Sequence, residues 1–337
     1  MNWRSYAHAL VSAACILASN EIGIAIAAGQ HWPAGLPVYD HIVIVVEENK
    51  DYDEIIGNPE APYINKLKAE GASLSRMYGE EHVSEGNYFW LFSGSNQGVG
   101  FGNAMPSRPL TASNLGQQLI ANGFSFKGYA ESLPAIGSLA VYSPMTCTIY
   151  RTCLYARKHV PWASFANLPN GPTVGTSSNL RFIDFPAPAD YDGLPTVAFV
   201  IPNLSNDMHD GSVRAGDQWL EAHLDAYYRW AKSHNSLLIL TVDESHDRPG
   251  YNGFTDFRLH PGDELSKALQ NRIATIFVGA HVKPGDYPEG DGVTHVNILR
   301  TIEAMYGLGK SGAQQPFAAA GGISDERIIT DLFQPIR

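Results

Sequence analysis

Five short apolar runs predict a doubly wound α/β fold with a mostly parallel central sheet flanked by helices. Amphipathic stretches lie between several of them, and acidic or amide residues follow three of them directly. His41 to Val46 is a continuous β-branched run, the pattern of a central strand buried on both faces. Ala61 to Gly71 then has helical spacing, with Ile64 and Leu67 on one side and Gly71 as a stop. Ser113–Asn122, Gln218–Ser233 and Val296–Tyr306 read as further helices, and Phe124–Tyr129, Thr196–Ile201, Ser236–Val242 and Ile273–Val278 as further buried strands. Residues 131–195 are strand-poor and read as a loop-rich insertion over the sheet. No internal repeat, charge block or low-complexity tract interrupts the pattern.

Composition narrows the class. The chain has 337 residues, of which 44% are hydrophobic and 17% charged, enough apolar material for a sizeable core. With 32 Gly and 21 Pro, long loops are expected, and loops carry sites. A net charge of −11 argues against wrapping nucleic acid, which demands a basic surface. It leaves open a small anionic substrate held through a metal ion.

Residues 1–28 read as a secretory signal peptide. Arg4 precedes an apolar stretch from Ala9 to Ala18, and Ala25-Ile26-Ala27 forms a small-x-small cleavage site. Glu21 breaks the run, so it is too short to span a membrane. Removing the segment takes Arg4 and Glu21 together and leaves −11. No transmembrane segment is expected in the mature chain, whose expected location is periplasmic or secreted. Cys147 and Cys153, six positions apart, fit a structural disulfide in an exported protein. Residues 38–337 then form a single catalytic domain.

Ligands in open α/β sheets bind at the carboxyl ends of the strands. After 41–46 come Glu47, Glu48 and Asn49; after 236–242 come Asp243 and Glu244; after 196–201 comes a loop ending in Asp207, Met208, His209 and Asp210. Any one of these positions alone suits a solvated loop carboxylate. Together they need a neutralising cation, because like charges within a few Å are costly. The donors are hard oxygens, which favour Mg²⁺, Ca²⁺ or Mn²⁺; His209 and His295 would admit Zn²⁺ or Fe. Glu47 competes with Glu48, since neighbours along a strand face opposite ways. Ser84 stands in a turn before a helix start, where free backbone N–H groups receive anions. It suits either a nucleophile activated by a metal or an N-cap, and spacing alone favours the cap.

The combination of Val45-Val46-Glu47-Glu48-Asn49-Lys50-Asp51-Tyr52, His82-x-Ser84-x-x-Asn87-Tyr88 and Phe92-Ser93-Gly94-Ser95 resembles the bacterial phosphoesterase family of acid phosphatases and phospholipases C, within the alkaline-phosphatase superfamily. Pro202-Asn203-x-x-Asn206-Asp207-Met208-His209-Asp210, Gly216-Asp217-x-Trp219-Leu220, Thr241-x-Asp243-Glu244 and Thr294-His295-x-x-x-Leu299 continue it in order. The resemblance implies an alkaline-phosphatase-like sheet and assigns Glu48, Asn49, Asp243 and Glu244 as metal ligands. Ser84 would be both nucleophile and ligand, and Asn87 would bind substrate phosphate. His209 and His295 would bind a second metal or contact the phosphate. Val83 and Gly86 depart from the family pattern, which carries Pro at both places, and put the loop's shape in question.

The expected activity is hydrolysis of phosphate monoesters through a phosphoserine; where His209 and His295 do not bind metal, His209 is the expected acid for the leaving group, with a mildly acidic optimum. A phospholipase C-type diesterase is the alternative, and a non-catalytic exported binding protein belongs to another class. Tyr88, Phe89 and Trp90 beside Ser84 suit a lipid or a packed core equally. A sulfatase is disfavoured for want of a Cys-x-Pro-x-Arg segment. Arg157-Lys158-His159 reads as a surface loop, or as a cationic lip over the site. Asp217 and Trp219 read as structural, and His246, Asp247 and Arg248 as neighbours of the substrate.

Overall fold

Why the first strand is so apolar is plain from its place in the sheet. In the computed structural model, β1 (His41–Glu47) pairs in parallel with a strand on either side, so both faces are covered. Ile42, Val43, Ile44 and Val45 are fully buried, each side chain contributing about 1.5–3 kcal/mol. The structure describes residues 35–99, 105–106, 109–147, 153–246, 271–288, 293–312 and 327–334. The signal peptide read in residues 1–28 lies outside them, as do Asp247 and Arg248. No helix among the described residues is long and apolar enough to cross a membrane.

After β1 come α1 (Tyr52–Ile55), α2 (Pro62–Glu70), β2 (Ala72–Leu74), β3 (Met77–Tyr78), α3 (Ser84–Ser93), α4 (Leu115–Ala121) and β4 (Phe126–Ala130). β5 (Tyr142–Ser143), β6 (Tyr155–Ala156), β7 (Asn179–Arg181), β8 (Val197–Ile201), α5 (Val213–Ala231) and β9 (Ser236–Val242) follow. The chain continues through β10 (Arg272–Ile273), β11 (Thr275–Gly279), β12 (Gly285–Tyr287), β13 (Val293–Thr294) and α6 (His295–Met305). Eight strands form the main sheet in the order β12-β2-β11-β9-β1-β8-β4-β7. All run the same way except β11, which is antiparallel to both β9 and β2. The predicted mostly parallel doubly wound sheet is what forms.

Three differences have physical reasons. The apolar run Ile273–Val278 divides: Arg272 and Ile273 pair with β3 in a second, three-stranded sheet, and Thr275–Gly279 reverse direction in the main one. A run of buried residues carries no sign of strand direction. The helix expected from Gln218 starts at Val213, because the Ser212 side chain accepts from Ala215 N and caps it earlier. The segment 131–195 does not merely lie over the sheet. It supplies edge strand β7, and Trp162 and Phe165 enter an aromatic cluster with Phe92, Phe126 and Phe199. Asp217 is structural, though not at its own helix: its carboxylate accepts from Tyr63 N and Ile64 N at 3.1 and 2.8 Å, capping the start of α2.

Candidate active site

Strand ends and one helix start deliver the site. Glu48 follows β1, Asp207 follows β8, and Asp243 and Glu244 follow β9. Backbone bonds tie these ends together, from Glu48 N to Asp207 O at 2.7 Å and from Asp243 N to Glu47 O at 3.0 Å. Ser84 is the first residue of α3, and the N-cap is Val83, so the capping role expected for Ser84 is not the one it plays. Its hydroxyl turns into the carboxylates instead, 2.8 Å from Glu244 Oε1 and 3.2 Å from Glu48 Oε2. Asn49 donates from its backbone to Asp243 Oδ1 at 3.1 Å and from Nδ2 to Glu244 Oε1 at 3.0 Å.

A second layer grips these groups. His82 Nδ1 lies 2.6 Å from Glu244 Oε2. Tyr88 donates to Glu48 Oε1 at 2.6 Å, and His159 Nε2 is 3.0 Å from the same oxygen. The His159 ring stacks on Tyr88 and stands 3.8 Å from Asp207 Oδ2.

The electrostatics are those of concentrated negative charge out of water. Burial, then Glu48 and Glu244, push the Asp243 carboxyl well above its usual range. Burial and Glu48 do the same to Asp207, against the opposing charge of Lys158. Glu244 is raised by burial, with His82 opposing. Burial, Lys158 and His209 hold the His159 imidazole well below its usual value and thus neutral.

The donor set fits a hard divalent cation. Asn49 Oδ1, Asp207 Oδ2 and Asp243 Oδ2 are buried without a hydrogen-bond partner among the described residues, which is costly unless something positive faces them. No three His, Cys, Asp or Glu side chains among the described residues stand as a ready-made metal cage. The carboxylates are linked through Ser84 and Asn49, so any ion would be held by a mixed set of carboxylate, amide and hydroxyl oxygens.

The phosphoesterase family profile matches residues 58–309. The chain belongs to the phosphoesterase family. It is 43% identical over 315 residues to the phosphatidylinositol-3-phosphatase of Mycobacterium tuberculosis, covering 92% of this chain and 90% of that one. It is 24% identical over 277 residues to the phosphate-repressible acid phosphatase of Penicillium chrysogenum, covering 81% of this chain and 60% of that enzyme. Among solved structures, an alkaline-phosphatase-superfamily protein from Vibrio parahaemolyticus shares the fold, with a TM-score of 0.53 at 12% identity over 82% of this chain and 70% of that one. The protein is a hydrolase of phosphoric ester bonds, so the non-catalytic alternative falls away.

Within this phosphoesterase, Glu48, Asn49, Ser84, Asp243 and Glu244 come together as the sequence suggests. Glu47 does not join them. Its carboxylate has no hydrogen-bond partner among the described residues, and burial followed by Glu48, Asp217 and Glu131 raises its pKa. Asn87 holds the loop before Ser84, its Oδ1 accepting from Glu80 N and Glu81 N and its Nδ2 donating one hydrogen to Glu81 O at 2.7 Å. One assignment needs correction. His295 is buried with Nδ1 on Glu80 Oε2 at 2.6 Å and Nε2 on Val242 O at 2.9 Å. A carbonyl only accepts, so Nε2 carries a hydrogen, and neither nitrogen is left for phosphate or metal.

His209 stays at the mouth, about one-third exposed, its ring 6.1 Å from that of His159 and its Nδ1 on Asp210 at 2.8 Å. His246 is exposed and bonds Asp51 Oδ1 through its backbone. Cys147 and Cys153 form the expected disulfide. His159 was unreadable in sequence: a cationic trio looks like a surface loop, yet this ring is buried against Glu48. His82 and Asp207 stood within the family motifs, but nothing local separated them from packing residues.

Gly86 explains the departure from the family loop. A Cβ there would lie 2.0 Å from Glu81 Oε1, so the Glu81 side chain occupies the space a proline ring would need. Glu81 is held by Trp90 Nε1 at 2.9 Å, and burial pushes its carboxyl up to about 7.

Proposed function

We propose that this protein is an exported, divalent-cation-dependent phosphatase that hydrolyses phosphate monoesters through a phosphoserine on Ser84. The observation that carries the reading is the Ser84 hydroxyl at the start of α3, held between Glu244 and Glu48. The N–H groups at the start of that helix favour the phosphate oxygens. Glu48, Asn49, Asp243 and Glu244 would hold the cation. Bound there, it supplies positive charge that lowers the pKa of the hydroxyl and stabilises the transferring phosphoryl group.

Ser84 gives its proton to Glu244 Oε1, whose other oxygen is fixed by His82. Its Oγ then attacks phosphorus in line, the bond to the ester oxygen breaks, and the alcohol departs with a proton from His209 at the mouth. Water then attacks the phosphoserine and gives a proton to His209, the bond from phosphorus to Oγ breaks, Ser84 recovers its proton from Glu244, and inorganic phosphate leaves. His159 and Tyr88 hold Glu48 in place throughout.

The relationship to a phosphatidylinositol-3-phosphatase and to acid phosphatases favours monoesters over diesters, with a phosphorylated lipid headgroup among the candidate substrates. A panel pairing p-nitrophenyl phosphate, glycerol phosphate and phosphatidylcholine tests both points. His209→Gln should slow glycerol phosphate, whose alkoxide needs a proton, at least about tenfold more than p-nitrophenyl phosphate, which leaves unaided. Equal slowing of both removes His209 as the acid, and turnover of phosphatidylcholine alone returns the diesterase. The Cys147–Cys153 disulfide and the apolar segment from Ala9 to Ala18 support export to the periplasm or medium. Sequencing the N-terminus of exported protein should find it starting near Gly29; an intact Met1 overturns the signal assignment.

A further inference from the structure

We infer that the two-stranded ribbon of β5 and β6 docks this phosphatase on an anionic lipid surface. Of the eight large apolar side chains exposed among the described residues, four lie between Leu139 and Leu154. Met145 is 83% exposed, Leu139 51%, Val141 41% and Leu154 38%. They share one small element. Tyr142 pairs with Ala156 and Ser143 with Tyr155, Arg157 N bonds Val141 O at 2.9 Å, and Leu154 N bonds Ser143 O at 2.8 Å. The Cys147–Cys153 bond closes the ribbon, so these side chains project from a braced support. Exposed apolar residues scattered singly are ordinary, but four gathered on one stapled ribbon are not.

The ribbon is built into the rim of the site. Its buried side, Cys153 and Ala156, packs on Leu204, and Leu204 N bonds Leu154 O at 2.9 Å. Leu204 belongs to the loop that carries Asp207 and His209. At its other end the ribbon runs directly into Arg157, Lys158 and His159, and His159 touches Glu48. A cavity of about 350 Å³ opens at the base between Leu139, Arg157, Phe165, Leu168 and Pro109.

Charge selects the occupant. The chain carries −11, yet residues 139–158, which hold the ribbon and its continuation, contain Arg151, Arg157 and Lys158 and no acid. An acid-free stretch of an acidic protein therefore bears the apolar ribbon. Apolar side chains beside cations match an anionic bilayer surface, which receives both. A docked ribbon would bring the mouth of the site onto phosphate esters displayed by lipids.

The inference rests on the phosphoesterase reading, and its test separates the two. The exported protein, starting near Gly29, is sedimented with phosphatidylcholine vesicles with and without phosphatidylglycerol, while p-nitrophenyl phosphate turnover is measured in parallel. The wild type should pellet with the anionic vesicles and remain in solution with neutral ones. Met145→Asp with Leu139→Asp should weaken that binding at least about tenfold and leave soluble-ester turnover unchanged. If that pair also loses soluble turnover, Met145→Ser with Leu139→Ser decides by the same two readouts. Wild type that stays in solution with every vesicle, or serine variants that bind as well as wild type, overturns the proposal. So does equal binding to neutral vesicles, or a dimer that the substitutions dissociate without any vesicle binding, which would assign the ribbon to a second copy. Loss of p-nitrophenyl phosphate turnover in the wild type would count against the phosphoesterase reading and leave the vesicle result to stand by itself.

Discussion

Ser84→Ala is expected to lower kcat on a soluble phosphomonoester by a factor on the order of 10⁴ or more, because loss of a covalent nucleophile removes the whole two-step path. The fold should survive the change. The cap of α3 is Val83, and among the described residues the hydroxyl of Ser84 bonds Glu244 and Glu48 alone, so no helix bond depends on it. Melting temperatures within a few degrees of each other would confirm that the variant reports chemistry and not unfolding. The direct signature is an acid-quenched reaction with labelled phosphate: wild-type protein should retain label on a serine and Ser84→Ala none. Near-wild-type turnover by Ser84→Ala, or label on both proteins, would end the nucleophile assignment.

Divalent cation is expected to be the largest single stabilising ligand. Glu48, Asp207, Asp243 and Glu244 are buried together, and Asp243, Asp207 and Glu244 hold their protons more tightly than free carboxylates do. A cation that binds only the folded state at about one hundred times its Kd adds about 2.7 kcal/mol. For a domain of this size that raises Tm by roughly 5 °C. The pH dependence follows from the direction of the shifts. Carboxyls whose folded pKa exceeds the unfolded value stabilise the protein below about pH 4 and lose that contribution as pH rises through the folded values. The cation-free protein should therefore lose stability as pH rises from about 4 toward neutrality, and added Mg²⁺, Mn²⁺ or Ca²⁺ should restore it most at the neutral end, where protons no longer compete. Asp243→Asn should lose bound metal by elemental analysis together with turnover. Full metal content in an inactive Asp243→Asn protein, or a Tm indifferent to every divalent ion and to chelator, would remove this cluster as the cation site.

Both expectations rest on residues whose gathering was legible in the chain. Strand ends are readable because a buried parallel strand must be apolar and must stop, so the first polar residues after His41–Val46 and Ser236–Val242 stood out as Glu47, Glu48, Asn49, Asp243 and Glu244. The order of the motifs then pointed to Ser84. What could not be read was which partner each polar group would choose. Asn87 and His295 carry the residue types of a phosphate site, but Asn87 is tied to the backbone of Glu80 and Glu81, and both ring nitrogens of His295 are taken by Glu80 and Val242. Local spacing has no term for a neighbour 215 residues away.

The same limit explains His159 and β11. His159 looks solvated in a trio with Arg157 and Lys158, and only the packing of 131–195 against α3 presses it onto Tyr88 and Glu48. β11 looks like any buried strand, and only its place between β9 and β2 sets its direction. Hydrophobic period and chain order by themselves determined the doubly wound sheet and the strand-end carboxylates, because burial and strand length are local properties, whereas Ser84 stood out only through the family resemblance. The tertiary structure alone decided which of the polar side chains are spent on holding the loop, which stay buried without a hydrogen-bond partner among the described residues, and where the apolar ribbon sits on the rim. Those outcomes depend on contacts between segments far apart in the chain, where a hydrogen bond already made is unavailable for chemistry.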